Sequence, residues 1–186
     1  MKITISGSSG SGKSTLAKKL ATTYSLKYYD MGTVRREMAE SRGLTIDQLN
    51  KIGETEDWTD KEADEYQRKL GKEEQRIIIS GRTSWYFVKD SIKIFITVDQ
   101  KVGAERVFSE KRGSHEGEYS SAEDMMKQHE TRKQSDIKRY RKLYGIDNVY
   151  SEKNYDIVLD TTNLNAKQAE SVLEKRINCF LNKKDI

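Results

Sequence analysis

The stretch Gly7-Ser8-Ser9-Gly10-Ser11-Gly12-Lys13-Ser14 meets every fixed position of the pattern G-x-x-x-x-G-K-[ST]. It constrains the fold strongly, because such a loop works only between a strand and the start of a helix. Lys2-Ile3-Thr4-Ile5-Ser6 supplies the alternating strand, and Leu16, Ala17 and Leu20 recur at helix spacing behind the loop. The chemistry this permits is anion capture. Glycines let the backbone wrap closely, so that successive N–H groups point at phosphate oxygens. The positive end of the helix dipole faces the same anion. Lys13 adds a full charge near β/γ-phosphates, and the Ser14 hydroxyl suits Mg²⁺. A flexible Gly/Ser turn would account for the glycines, but not for the Lys-Ser pair together with both flanking elements.

The 186 residues suffice for one domain with a sizeable core. Apolar and charged residues each make up 34%, so the core is lean and the surface heavily solvated. Regularly spaced apolar runs argue against disorder. A net charge of +4 admits a nucleic-acid partner. Acids and bases are intermixed along the chain, however, with no basic stripe bearing stacking aromatics, so no nucleic-acid partner is expected. The single cysteine, Cys179, cannot form an internal disulfide, which fits a reducing compartment. It has no His or Cys at ligand spacing and reads as structural. No apolar signal region and no membrane-length apolar run occur, so a cytoplasmic chain with no membrane contact, monomeric, is expected.

Further strands are predicted over Leu26–Asp30, Arg76–Ser80, Ile92–Val98 and Tyr155–Asp160. Helices are predicted over Gly12–Tyr24, Thr33–Arg42, Gln100–Arg112 and Ala166–Leu181. A long charged helix should reach about Leu143, with Gly145 as its C-cap. Capping-box spacing at Thr45–Gln48, Thr59–Glu62 and Ser120–Glu123 predicts three helix starts. Alternation of strands and helices gives an α/β domain with a parallel sheet. Ligands should then bind outside the carboxyl ends of the strands, where the loop at 7–14, Asp30-Met31-Gly32, Gly81-Arg82 and Thr161-Thr162 converge.

Several stretches resemble the cytidylate kinases, above all the short subfamily common in archaea. They are Gly7–Thr15, Asp30-Met31-Gly32-Thr33-Val34-Arg35-Arg36, Ser80-Gly81-Arg82, Lys93–Ile96 with Ala104-Glu105-Arg106, Arg132-x-x-x-Asp136-x-x-Arg139-Tyr140-x-x-x-Tyr144-Gly145-Ile146-Asp147, and Tyr155–Thr161. The resemblance covers nearly the whole chain. It implies a P-loop NTPase fold, with a five-stranded parallel core over 1–31, 76–108 and 145–186. It also implies a helical monophosphate-binding insertion over 32–75, and a lid with its flanking helix over 109–144. The implied reaction is transfer of the γ-phosphoryl group of ATP, with Mg²⁺, to CMP and dCMP. A kinase for another small acceptor remains the alternative.

The resemblance also implies site residues. Gly7 to Thr15 hold ATP, with Lys13 catalytic and Ser14 on the metal. Asp30, Gly32, Arg36, Arg82, Arg132, Asp136 and Arg139 hold the acceptor, with Arg82, Arg132 and Arg139 also neutralising the transferring group. Position 35 is usually aromatic in the family and is Arg35 here, which leaves open which arginine faces the site. Many larger relatives have Asp where Thr83 stands. Arg132, Asp136 and Arg139, at i, i+4 and i+7, share a helix face, and a solvated charge ladder is the alternative there. Asp64 and Gln67 either read the base edge or face solvent. Arg106 and Arg112 flank the lid, and His115 and His129 are expected on the surface.

Overall fold

The computed structural model describes residues 1–109 and 121–184. Five strands form one sheet: β1 (Lys2–Gly7), β2 (Lys27–Asp30), β3 (Ile77–Ser80), β4 (Ile92–Thr97) and β5 (Ile157–Asp160). Their order is β2-β3-β1-β4-β5, and every pairing is parallel. β1 is therefore central, with Ile5 opposite Ser80 on one side and Gly7 opposite Ile96 on the other. The helices are α1 (Lys13–Thr23), α2 (Met31–Glu40), α3 (Ile46–Ile52), α4 (Trp58–Glu73), α5 (Ser84–Phe87), α6 (Gln100–Ser109), α7 (Ala122–Tyr144) and α8 (Ala166–Lys184).

The sheet is covered on both faces, as a parallel sheet requires. Ile3, Ile5 and Ile78 pack with Leu16 and Leu20 of α1 and with Leu173 and Ile177 of α8. Ile77 and Ile79 point the other way, onto Met31 of α2 and Ala63 and Leu70 of α4. That alternation within Ile77–Ile79 is the period of two. Each such aliphatic side chain contributes about 1.5–3 kcal/mol by leaving water. Thr4, buried in β1, keeps its hydroxyl satisfied on Ser91 Oγ at 2.9 Å.

Helix starts show where local signals prevail. Thr45 forms the expected capping box: its Oγ1 accepts from Gln48 N at 3.2 Å, and Gln48 Oε1 accepts from Thr45 N at 2.8 Å. The box expected at Thr59 does not form. α4 already begins at Trp58, and Thr59 is fully buried inside it. Tertiary contact overrides the motif, because Asp60 turns inward onto two arginines. α2 starts two residues early, since the Asp30 carboxylate caps it by accepting from Gly32 N at 2.8 Å. α7 is capped by Ser121, whose Oγ accepts from Asp124 N at 3.1 Å; Ser120 lies outside the described residues. Gly145 ends α7 at φ 67°. The short α5 has no counterpart among the elements expected from the sequence. No helix among the described residues is long and apolar enough to cross a membrane.

Candidate active site

All five strands end along one edge of the sheet, and a cleft of about 1000 Å³ opens there. Its floor is the loop from Gly7 to Thr15. Two glycines in this loop are demanded by space. A side chain at Gly7 would begin 2.3 Å from Ile96 O, and one at Gly10 would begin 2.1 Å from Gly103 O. Gly10 and Gly12 also take φ 72° and 76°. Gly12 caps α1 without any side-chain hydrogen bond, and the first turn carries no acid. No capping side chain takes up the donors at that helix end, unlike those at the boxed start of α3, and such an end suits an anion. Thr161 steadies the loop, its hydroxyl lying 3.0 Å from Ser11 O. Lys13 Nζ donates to Ser80 Oγ at 3.4 Å. Ser14 lines the cleft from the first turn of α1.

Above this floor stand the cations. Arg36, Arg82 and Arg132 line the cleft. Arg36 is half-buried and donates to Thr33 Oγ1 at 3.1 Å, and Arg132 comes within 4.0 Å of Asp47. Arg35 also lines the cleft, but it is buried. Its Nη1 donates to Asp60 Oδ1 at 2.7 Å and to Thr59 O at 3.1 Å, and its Nη2 donates to Asn50 Oδ1 at 3.1 Å. Both arginines therefore face the site, Arg35 anchored and Arg36 at the surface. Asp30 lines it too, with Oδ1 engaged in the α2 cap and Oδ2 accepting from Tyr28 OH at 3.1 Å. Burial first, and Asp30 second, push the Tyr28 phenol up to about 12.

The face Arg132, Asp136, Arg139 is not a solvated ladder. Asp136 is fully buried and Arg139 is 3% exposed. Neither lines the cleft; both lie beneath it. Arg139 Nη1 donates to Asp60 Oδ2 at 2.7 Å and Oδ1 at 2.9 Å, and Nη2 donates to Asp136 Oδ1 at 2.5 Å. Asp136 Oδ2 pairs with Arg82 Nε at 2.7 Å and accepts from Tyr150 OH at 2.5 Å. Burial alone would raise the Asp136 carboxyl, but the Arg82 and Arg139 guanidiniums outweigh it and hold it below its ordinary value. One continuous network thus ties α2, α4, α7 and the turn after β3: Arg35, Asp60, Arg139, Asp136, Arg82.

Sequence reasoning misses three participants. His129, expected on the surface, lines the cleft with Nε2 3.0 Å from Ser9 Oγ. Tyr150 bridges Arg82 and Asp136 from a loop with no periodic signal. Asp60 reads as part of a helix start. A signal exists for it: Asp60, Asp64 and Gln67 recur at i, i+4, i+7 in phase with Ala63 and Leu70, and all are buried. Arg106 fixes its guanidinium on Thr161 O and Thr162 O, at 3.0 and 3.1 Å. Arg112, His115 and most of the expected lid lie outside the described residues.

The profile of the cytidylate kinase-like family matches residues 2–163. The chain belongs to that family. Cytidylate kinase from Methanopyrus kandleri is 32% identical over 98% of this chain and 96% of its own length. Cytidylate kinase from Pyrococcus furiosus is 35% identical, over 86% and 79% respectively. Among solved structures, shikimate kinase from Bacteroides thetaiotaomicron superposes with a TM-score of 0.66 at 16% identity, over 98% of both chains. That likeness is one of fold, and it agrees with the P-loop kinase architecture. The chain is accordingly an enzyme of a kinase family, of cytidylate or nucleoside monophosphate kinase type.

Proposed function

We propose that this protein transfers the γ-phosphoryl group of ATP to CMP and dCMP, giving ADP and the diphosphate. The observation that carries the reading is a cleft with a phosphate-binding loop on its floor and Arg36, Arg82 and Arg132 above it, in a chain of the cytidylate kinase-like family. The acceptor in such a reaction is a phosphate oxygen, already anionic, so no general base is needed at the attacking atom. The protein's task is alignment and charge neutralisation. The backbone N–H groups of the loop and the start of α1 receive the donor's phosphates. Lys13 neutralises charge at the transferring group. Arg36, Arg82 and Arg132 receive the acceptor phosphate. Asp136 and Arg139 act from beneath, fixing the Arg82 guanidinium. The helices between β2 and β3 serve as the monophosphate-binding insertion, and the segment before α7 as the lid.

The donor set also fits Mg²⁺. Among the described residues no three His, Cys, Asp or Glu side chains gather as a cage. Ser14 offers one hydroxyl beside the phosphate loop and would hold Mg²⁺ together with phosphates and water, as that ion tolerates. Bound there, the metal would supply charge neutralisation on the donor's phosphates.

The test is ADP release with CMP, dCMP, UMP, AMP, GMP and shikimate as acceptors. CMP and dCMP should give the highest kcat/KM. Equal turnover of a purine monophosphate or of shikimate would overturn the acceptor assignment.

A further inference from the structure

One wall of the cleft is built from Asp64 and Gln67 of α4 and Thr83 after β3, none more than 3% exposed. Their hydrogens point away from the cleft or toward one another. Gln67 Nε2 donates to Asp64 Oδ1 at 2.8 Å and to Thr83 Oγ1 at 3.1 Å. Thr83 Oγ1 donates to Asp64 Oδ1 at 2.9 Å. From behind, Ser84 Oγ donates to Gln67 Oε1 at 2.5 Å, and Tyr144 OH donates to Asp64 Oδ2 at 2.8 Å. Neither Ser84 nor Tyr144 lines the cleft. A primary amide has two hydrogens and a hydroxyl one, so every side-chain donor of this cluster is already committed. What remains on Asp64 Oδ2, Gln67 Oε1 and Thr83 Oγ1 is lone pairs. Gly81 keeps the arrangement tight, since a side chain there would begin 2.3 Å from Ser84 Oγ and 3.1 Å from Gln67 Oε1.

We propose that Asp64, Gln67 and Thr83 form the surface that selects cytosine over uracil in the acceptor nucleotide, by offering acceptors alone to the exocyclic amine. The proposal rests on the reading of the chain as a pyrimidine monophosphate kinase. The chemistry follows from the two bases. Cytosine carries an amine with two hydrogens at ring position 4, whereas uracil carries a carbonyl oxygen there. Against this wall the amine finds partners, and the carbonyl meets lone pairs on side chains that are themselves almost wholly buried. Buried polar groups that cannot pair are costly, which is how a site rejects an isostere. Thr83 follows Arg82 directly in the chain, so the phosphate-facing cation and the base-facing wall share one turn. The acceptor role lies with Asp64, reaching across from α4, and Thr83 orients it.

The experiment measures kcat/KM for CMP and UMP on the full chain and on two variants, Asp64→Asn and Thr83→Val, with thermal melts alongside. Asp64→Asn keeps the oxygen that Gln67 and Thr83 donate to and places an NH₂ on the other side. The CMP:UMP ratio should then fall by about ten- to a hundredfold, while KM for ATP stays unchanged. Thr83→Val removes the hydroxyl and frees one Gln67 hydrogen, so the ratio should fall in the same direction. An unchanged ratio in both folded variants overturns the proposal, and so does an equal loss with both nucleotides, which a purely structural role would give. If Asp64→Asn does not fold, the ratio in Thr83→Val decides alone. Failure of the underlying kinase reading is seen separately, as a wild-type chain that turns over neither CMP nor UMP, and it removes the proposal with it.

Discussion

Arg139→Ala probes the buried network directly. The substitution removes both contacts to Asp60, at 2.7 and 2.9 Å, and the 2.5 Å contact to Asp136. Both carboxylates are fully buried. Stranding a buried charge typically costs about 3–5 kcal/mol. Here each acid keeps another partner: Asp60 retains Arg35 at 2.7 Å, and Asp136 retains Arg82 at 2.7 Å and Tyr150 at 2.5 Å. The expected loss therefore lies at the low end, about 3 kcal/mol. For a domain of this size that lowers Tm by roughly 6–12 °C. Arg139→Met restores volume but not charge and should melt almost as low, whereas adding Asp60→Asn should recover part of the loss. Scanning calorimetry on the four proteins gives the answer. A solvated helix face would leave Tm within about 1 °C of wild type, and that result would refute the buried-network account. Loss of kcat should accompany the loss of stability, because Arg82 is held through Asp136.

Lys13→Ala should lower kcat by about a hundredfold or more while leaving the melt unchanged; steady-state kinetics near wild type in a folded variant would end the phosphate-loop assignment. Gly10→Ala puts a carbon 2.1 Å from Gly103 O at φ 72°, so ATP affinity should fall at least about tenfold by calorimetry, while Gly12→Ala, with open space around it, carries backbone strain alone and should bind better than Gly10→Ala. Burial pushes the Asp64 carboxyl up to about 6, against the lowering pull of Tyr144 on α7, Thr83 and Arg35 on α2, and with Asp60 adding to the rise. Between about pH 4 and 6 the folded chain holds a proton the unfolded chain releases, so stability falls as pH rises through that window, by up to roughly 3 kcal/mol. The Tm difference between wild type and Asp64→Asn should follow that curve, and a pH-independent difference would contradict it.

The fold is largely legible in the sequence, and the reasons differ by element. The loop at 7–14 announces a strand before it and a helix behind it, and both are there. The Thr45 box is readable because its hydrogen bonds are local. The Thr59 spacing is the same, yet Asp60 is claimed by Arg35 and Arg139, from 25 and 79 positions away. The capping spacing does not encode that; only the phase of Asp60 with Ala63 and Leu70 marks it as inward-facing. Arg132, Asp136 and Arg139 do share one face, but a charged face reads as solvated until its partner is known. Here the partner is the equally polar stripe of α4, and two polar stripes that bury each other look, taken separately, like surface. His129 and Tyr150 reach the site through tertiary geometry, which leaves no periodicity to find.

The central position of β1 bears on how the chain comes off the ribosome. Ile3 pairs with Ile78 on one side and with Ile92 on the other, so β1 has its full set of partners only once synthesis has passed through β4. Gly7 and Ser8 then close onto Ile96, and Ser8 N donates to its carbonyl at 3.0 Å. At about 5–20 residues per second, β1 waits several seconds with its apolar run unpaired. The shortest-range motif in the chain is in this sense assembled by long-range contacts, to Ile96 and to Thr161. Fragments ending before residue 92 lack the β4 side of the glycine-rich loop, and nucleotide capture is expected to appear late in synthesis, once β4 has cleared the exit tunnel.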